Sequence, residues 1–271
     1  MNIRNYTYLL AAMLSFSSQS QAKEAELHTP HCYGGCPLGA PATNDIVVRD
    51  IYTLSTNDLT KMADWVAYRI TPDTIGPSVN RNWSQDPDLT ADETLTEDNY
   101  DDAPAALHID RGHQAPLAAF SGTKAVQQTN ILSNITPQAA ALNQGPWQRL
   151  EGKERELSKR LNVPVYVYTG PLFERPMRPM PNGPKFHRVP SGYWKVILTA
   201  DQRLSAFLMD QNTPRGANHC DSRLVLQEVE LRSRLYLFPQ YDMSGFGSLD
   251  GELGCPGPTP VQPAPDEIST R

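Results

Sequence analysis

The chain has 271 residues, 39% of them apolar, with 30 acidic against 24 basic side chains and a formal charge of −6. This is enough for one sizeable globular domain and too short to demand two. The negative total excludes polyanion binding by bulk charge, so binding of that kind would need cations clustered on one face.

Met1 to Ala22 carries Arg4, then the apolar stretch Tyr8 to Leu14, then the small-residue exit Ser20-Gln21-Ala22. That order predicts a secretory signal cleaved after Ala22, and hence a secreted or periplasmic protein. Its removal would take away one cation and no acid, moving the charge from −6 to −7. No other segment approaches about 18 uninterrupted apolar residues, so the mature chain is expected to be soluble, with no membrane partner. Residues 23–44 are rich in Pro and Gly around Cys32-Tyr33-Gly34-Gly35-Cys36 and read as a stapled lead-in. With Cys220 and Cys255 there are four cysteines, which permit three connectivities, and the spacing favours Cys32 with Cys36 and Cys220 with Cys255. A zinc site from His31, Cys32, Cys36, His219 and Cys220 is the rival reading, against which an oxidising compartment speaks.

A domain is expected over 45–256. Ile46 to Leu54 and Ala63 to Ile70, rich in β-branched and aromatic residues, fit strands, with turn chemistry at Thr56-Asn57-Asp58 between them. Asp86 to Asp102 is acidic and aperiodic, which argues for a solvated loop. Its Asp86, Asp88, Thr90, Asp92 and Glu97 imitate a calcium loop, but Ala91 stands where the sharp turn needs glycine. Leu107-His108-Ile109 runs as a strand into Asp110-Arg111-Gly112-His113, and Asn130 to Ile135 reads as its partner. Trp147, Leu150, Glu154, Leu157 and Leu161 then recur every three or four residues, which predicts an amphipathic helix with Glu154 as its one polar intruder. Val163 to Thr169, Tyr193 to Thr199 and Leu204 to Met209 are further strands, and 257–271 is a proline-rich, extended tail.

The chemistry concentrates in one stretch. Asp110-Arg111-Gly112-His113, Ser133-Asn134-Ile135-Thr136-Pro137-Gln138, Asn143-Gln144-Gly145 and Glu151 supply an imidazole, a guanidinium, a neutral amide and a carboxylate. A near-neutral imidazole can take a proton from water at pH 7, and oxygen ligands suit a hard cation, so the grouping points to phosphodiester chemistry. Two cationic clusters could face a polyanion: Arg149, Lys153, Arg155, Lys159 and Arg160, and Arg175, Arg178, Lys185 and Arg188. His108, His187 and His219 lack such company and read as structural.

From Asp45 to about Cys255 the chain resembles the secreted bacterial DNA/RNA non-specific endonucleases, whose ββα-metal (His-Me finger) site is built on a DRGH motif. The resemblance rests on DRGHQAPLA from Asp110, SNITPQ from Ser133, LNQG from Leu142 and Arg149-Leu150-Glu151. Trp65 to Tyr68, Arg81-Asn82-Trp83, Thr169 to Leu172, Tyr193 to Ile197 and Asp210 to Pro214 also match. It implies an α+β fold, a central antiparallel sheet flanked by helices, and disulfides Cys32–Cys36 and Cys220–Cys255. It implies an exported, Mg2+-dependent enzyme, with Mn2+ as substitute, that hydrolyses DNA and RNA to 5′-phosphorylated oligonucleotides. His113 would be the general base, Asn143 the direct metal ligand, and Arg81 the stabiliser of the transition state. Glu151, two turns beyond Asn143 and about 12 Å along a continuous helix, would hold water of the ion's shell or Arg111. Arg111 would orient phosphate or the Glu151 network, Asn134 would tie down the second strand, Asp110 would brace the loop, and Gly112 would allow a close backbone approach.

A homodimer is compatible with the resemblance, although Gly251 to Arg271 matches the pattern poorly. Pro146 also departs from it. Proline is tolerated in a first helical turn and disruptive deeper in, so the helix should begin close to Asn143; an earlier start would put the ligand on a kink. A binding protein of the same fold with weak or no turnover, and a phosphodiesterase for small exported substrates, are the rival functions.

Overall fold

The computed structural model describes residues 26–257, so the expected signal segment and nearly all of the expected tail lie outside the described residues. An eight-stranded sheet organises the chain. Its strands are β1 (Asp45–Val48), β2 (Tyr52–Asn57), β3 (Met62–Ile70), β6 (Val165–Leu172), β7 (Gly192–Thr199), β8 (Arg203–Asp210), β9 (Arg223–Leu224) and β10 (Gly247–Ser248). The path runs β1-β2-β3-β6-β7-β8-β10 with β9 also on β8, and every pairing is antiparallel except β10 with β8. A separate two-stranded unit pairs β4 (Ile109–His113) with β5 (Ile135–Ala139). The described helices include α1 (Ala103–Leu107), α2 (Ala140–Leu142), α3 (Gln148–Leu161) and α4 (Leu226–Ser233). This is the expected α+β class, and none of the described helices is long and apolar enough to cross a membrane.

The strand alternation builds two cores. Val66, Tyr68 and Ile70 of β3 and Tyr193 and Ile197 of β7 pack with Trp147, Leu150 and Leu157 under α3. Trp65, Ala67, Tyr168, Trp194, Val196 and Leu198 face the other way and pack with Leu226 and Val229 of α4. Because both faces are covered, β7 is buried at all eight positions, and its sequence is a mostly apolar run instead of alternating.

Lys195 interrupts that run on the α3 face and is fully buried. Its Nζ donates to Glu154 Oε1 at 2.8 Å and lies 4.0 Å from Glu151 Oε1 and 4.3 Å from the centre of the Trp147 ring. Tyr68 donates its hydroxyl to Glu154 Oε2 at 2.9 Å. Glu154, the polar intruder in the helix pattern, is therefore the partner of an equally buried lysine on the strand beneath it.

Several boundaries depart from the sequence reading. Ile46 to Leu54 is two strands, because Arg49 N donates to Tyr52 O in a tight turn and the Arg49 guanidinium bonds Asp86 and Asp88. Those two acids of the calcium-like run are thus committed to an arginine, and Asp86 is buried rather than solvated. Leu107 ends α1, whose first turn carries Pro104, and His108 turns the chain in the left-handed region at φ 55° before β4 begins. Asn130 is not in the partner strand: residues 126–134 form two 3-10 turns, and β5 starts at Ile135. The short helix α4 gave no signal in the sequence reading.

The cysteines form Cys32–Cys36 and Cys220–Cys255, so the cysteines of the rival zinc reading are used in disulfides. His187 and His219 have structural roles, accepting from Met180 N at 3.1 Å and lying 3.0 Å from Leu253 O respectively.

Lys195→Met is expected to destabilise the fold by about 3 to 5 kcal/mol, because it strands the buried Glu154 carboxylate without a cation. Urea unfolding should show that loss and its recovery in large part in Lys195→Met/Glu154→Leu, where neither charge remains.

A candidate phosphodiester cleavage site between the hairpin and the third helix

The β4–β5 pair carries the motif residues to one wall of a cavity of about 1000 Å3. The register sets Gly112 opposite Thr136 and His113 opposite Ile135. Gly112 is needed for contact, since a Cβ there would come within 2.6 Å of the Gln138 side chain, which packs over the strand.

Behind His113, Asn134 is fully buried and uses both ends of its amide. It accepts from Ala115 N at 2.8 Å and donates to Ala115 O at 3.0 Å and Thr129 O at 2.8 Å. This ties the chain after β4 to the turn before β5.

Asn130 is the residue that the sequence did not single out. Its Nδ2 donates to Gln127 Oε1 at 2.8 Å, which turns its Oδ1 to His113 Nε2 at 2.9 Å. An amide oxygen can only accept, so Nε2 carries the proton and Nδ1 is left as the basic nitrogen. Burial, reinforced by the nearby Arg81 charge, lowers the His113 pKa to about 4 against the pull of the Asn130 bond. The ring is therefore neutral at every physiological pH. Trp83 lies beside it, ring centres 5.3 Å apart.

In the same cavity, Asn143 Nδ2 donates to Asp110 Oδ2 at 2.9 Å, and Gln144 Nε2 to the same oxygen at 2.7 Å. With its nitrogen held, the Asn143 amide offers its oxygen to a ligand. Asp110 thus bonds the turn that carries Asn143 and Gln144.

The helix carrying Asn143 begins at Ala140, earlier than the sequence reading placed it, and the chain then makes a π-type turn over Asn143–Trp147 with non-helical angles at Gly145. Pro146 lacks the amide proton that a continuous α-helix would use, and the wider turn accommodates it before α3 starts at Gln148. The ligand candidate thus does sit on a kink. Gly145 is required there, because a Cβ would come within 2.7 Å of Arg215 O.

Glu151 lines the same cavity but is not joined to Arg111. Its neighbour is Lys195, and burial raises its pKa to about 7, with Lys195 opposing the rise and Glu154 adding to it. Arg111 instead donates to Glu97 O at 3.0 Å and lies between Trp83 and Tyr100, 5.6 and 5.5 Å from their ring centres. Arg81 is exposed at the rim, on a segment held by Gln127, which donates to Asn80 O and accepts from Asn82 N.

Five cations line the cavity, Arg81, Arg111, Arg155, Lys159 and Arg215, against the acids Asp110 and Glu151. The acidic chain therefore presents a locally positive cleft. Only Arg155 and Lys159 of the first sequence cluster contribute. Arg149 turns to Arg215 O and Ala217 O, Lys153 to Glu156, and Arg160 to Glu252 O, while the second cluster lies outside the cavity lining.

A model of the DNA/RNA non-specific endonucleases matches residues 35–238. The chain belongs to the DNA/RNA non-specific endonuclease family. A nuclease of Serratia marcescens is 46% identical over 243 residues, covering 88% of this chain and 90% of the relative. Nuclease C1 of Cunninghamella echinulata var. echinulata is 31% identical over 80% of this chain and 92% of its own length. The solved EndoG/EndoGI complex contains a chain with a TM-score of 0.65 at 22% identity, covering 77% of this chain and 91% of that one, which supports the fold. The protein is accordingly a nuclease, a hydrolase of phosphodiester bonds.

The donors around Asn143 are oxygens, from the amide and from the Asp110 and Glu151 carboxylates on the same cavity, and this set fits a hard divalent cation rather than a soft one.

Because the folded Glu151 pKa lies above its ordinary 4.5, its contribution to stability is full below about pH 4.5 and is lost as pH rises through about 7. Glu151→Gln should therefore raise the Tm of chelator-treated protein at pH 8, and the gain should vanish by pH 4.5. A thermal unfolding series over that range reads the difference.

Proposed function

We propose that the protein is an exported, Mg2+-dependent endonuclease, with Mn2+ as substitute, that cleaves DNA and RNA to 5′-phosphorylated oligonucleotides. The observation that carries the reading is that His113 and Asn143 line one positively charged cavity, from different elements. Export rests on the Met1 to Ala22 pattern.

In this reading Nδ1 of the neutral His113 takes a proton from water. The water oxygen attacks phosphorus in line with the 3′ oxygen, the phosphorus–3′-oxygen bond breaks, and the 5′-phosphate stays on one product. The 3′ oxygen takes up a proton from solvent. Asn130 fixes the ring tautomer, and Asn134 holds the backbone on either side. Both are positioning residues. A cation held by the Asn143 oxygen would offset charge on the phosphate and the departing oxygen, and Glu151 would accept hydrogen bonds from water around it. Arg81 can give two hydrogen bonds to phosphate oxygens, a geometry that lysine cannot copy. The contacts are to phosphate and carry no sequence information, which suits a broad substrate range.

Purified protein with Mg2+ is expected to degrade plasmid DNA and single-stranded RNA and to lose both activities in chelator. Intact substrates with folded, Mg2+-loaded protein would contradict the proposal. His113→Ala should lower kcat by roughly 10² to 10⁴ while gel-shift affinity for DNA is retained. Arg81→Lys should lower kcat with little change in fold, measured with the same plasmid under saturating Mg2+.

A further inference from the structure

A second cavity of about 570 Å3 lies behind the catalytic one, bordered by His31, Asp50, Arg69, Phe120 and Lys124. Only a thin wall separates the two. Thr74 and Thr123 line the second cavity while Gly76 and Ser121 line the first. The two wall segments are sewn together, Gly122 N to Thr74 O at 2.9 Å, Gly76 N to Ser121 Oγ at 3.0 Å and Ser121 Oγ to Gly76 O at 2.9 Å. They approach so closely that a Cβ at Gly76 would meet the Gly122 Cα at 2.7 Å.

The charges in this cavity are arranged for an anion. Arg69 and Lys124 are exposed, and neither has an acidic partner among the described residues, in a chain where acids outnumber cations. The one acid of the lining, Asp50, is held by Gln128, which donates to its carboxylate at 2.8 Å and accepts from its amide at 3.1 Å. His31 has both ring nitrogens engaged, near Thr53 Oγ1 at 2.9 Å and Asp50 O at 3.2 Å, and burial lowers its pKa, so it adds no charge. Phe120 is 1% exposed and offers no face on which a base could stack. Against the one carboxylate, Arg69 and Lys124 leave the lining with a net positive charge.

Gln127 connects this cavity to the chemistry. It lines the second cavity, holds the backbone on either side of Arg81, and accepts from Asn130, the partner of His113. A residue of the second cavity is thereby bonded both to the segment that carries Arg81 and to the partner of His113.

We propose that Arg69 and Lys124 form a second phosphate subsite, which holds the backbone of the nucleic-acid strand after it crosses the wall from the catalytic cavity. The subsite reads charge and not base identity, and it lengthens the footprint beyond the phosphate being cleaved. This rests on the nuclease reading above.

The test is the double variant Arg69→Gln/Lys124→Gln, compared with a control pair, Arg178→Gln/Lys185→Gln, which removes two exposed cations outside either cavity. With long single-stranded DNA the test variant should show KM raised roughly three- to ten-fold at unchanged kcat. A trinucleotide too short to cross the wall should be cleaved as by the parent. In the non-cleaving His113→Ala background, the slope of log affinity for long DNA against log salt should become shallower by about 1.4, as expected for two lost contacts to a single strand. The control pair should leave KM and slope in place. Active parent protein with unchanged KM and slope in the test variant would overturn the subsite alone. An equal change in the control pair would reduce it to bulk charge. Competition by inorganic phosphate that the test variant abolishes, without any effect on long DNA, would assign the cavity to a free anion and overturn the strand assignment. An inactive parent would count against the nuclease reading itself, and the salt slope would still judge the subsite.

Discussion

The contact between Lys195 and Glu154 is the one on which the placement of the site depends. It joins the central sheet to α3 out of solvent, and α3 continues the turn that carries Asn143 and presents Glu151, Arg155 and Lys159 to the cavity. Apolar packing alone would dock a helix on a sheet with some freedom to slide. A buried ion pair with a hydroxyl from Tyr68 on its second oxygen fixes one register, because any shift leaves a desolvated charge unpaired. The same lysine lies 4.0 Å from Glu151, so the element that anchors the helix also sets the electrostatic surroundings of a carboxylate in the cavity.

A second layer of order comes from amides used at both ends. Asn134 bonds three backbone groups, Asn130 turns its oxygen to His113 because Gln127 holds its nitrogen, and Asn143 has its nitrogen on Asp110. In each case one end of the amide decides what the other can do. The hydrogen-bond pattern gives the proposed base its tautomer and burial keeps it neutral, so no carboxylate partner is needed to orient the ring. A neutral base beside a cationic cleft avoids placing a second positive charge next to Arg81.

What the sequence made legible follows from how each element is buried. Strands β3, β6, β7 and β8 and the helix α3 bury long faces, so their periodicity reached the sequence directly. The segment before β5 did not read correctly, since Ile131 and Leu132 look like strand residues while the backbone is bent into 3-10 turns supported by the side chain of Asn134. The helix α4 is eight residues long with only Leu226 and Val229 buried, too little to generate a pattern. Motif residues His113, Asn143, Glu151, Arg81 and Arg111 line one cavity, whereas the nearness of Glu151 to Lys195 was not legible, because Lys195 is 44 positions away on a strand. The signal was present in two anomalies of opposite sign, Glu154 inside an apolar helix face and Lys195 inside an apolar strand.

The central claim is that a base and an oxygen-held cation face each other across one phosphate. Anomalous diffraction from crystals loaded with Mn2+ and a non-cleavable oligonucleotide tests it most directly. The account predicts an ion on the Asn143 amide oxygen, bridging a phosphate whose other side faces His113 Nδ1. An ion bound elsewhere, or a phosphate beyond reach of His113, would contradict it.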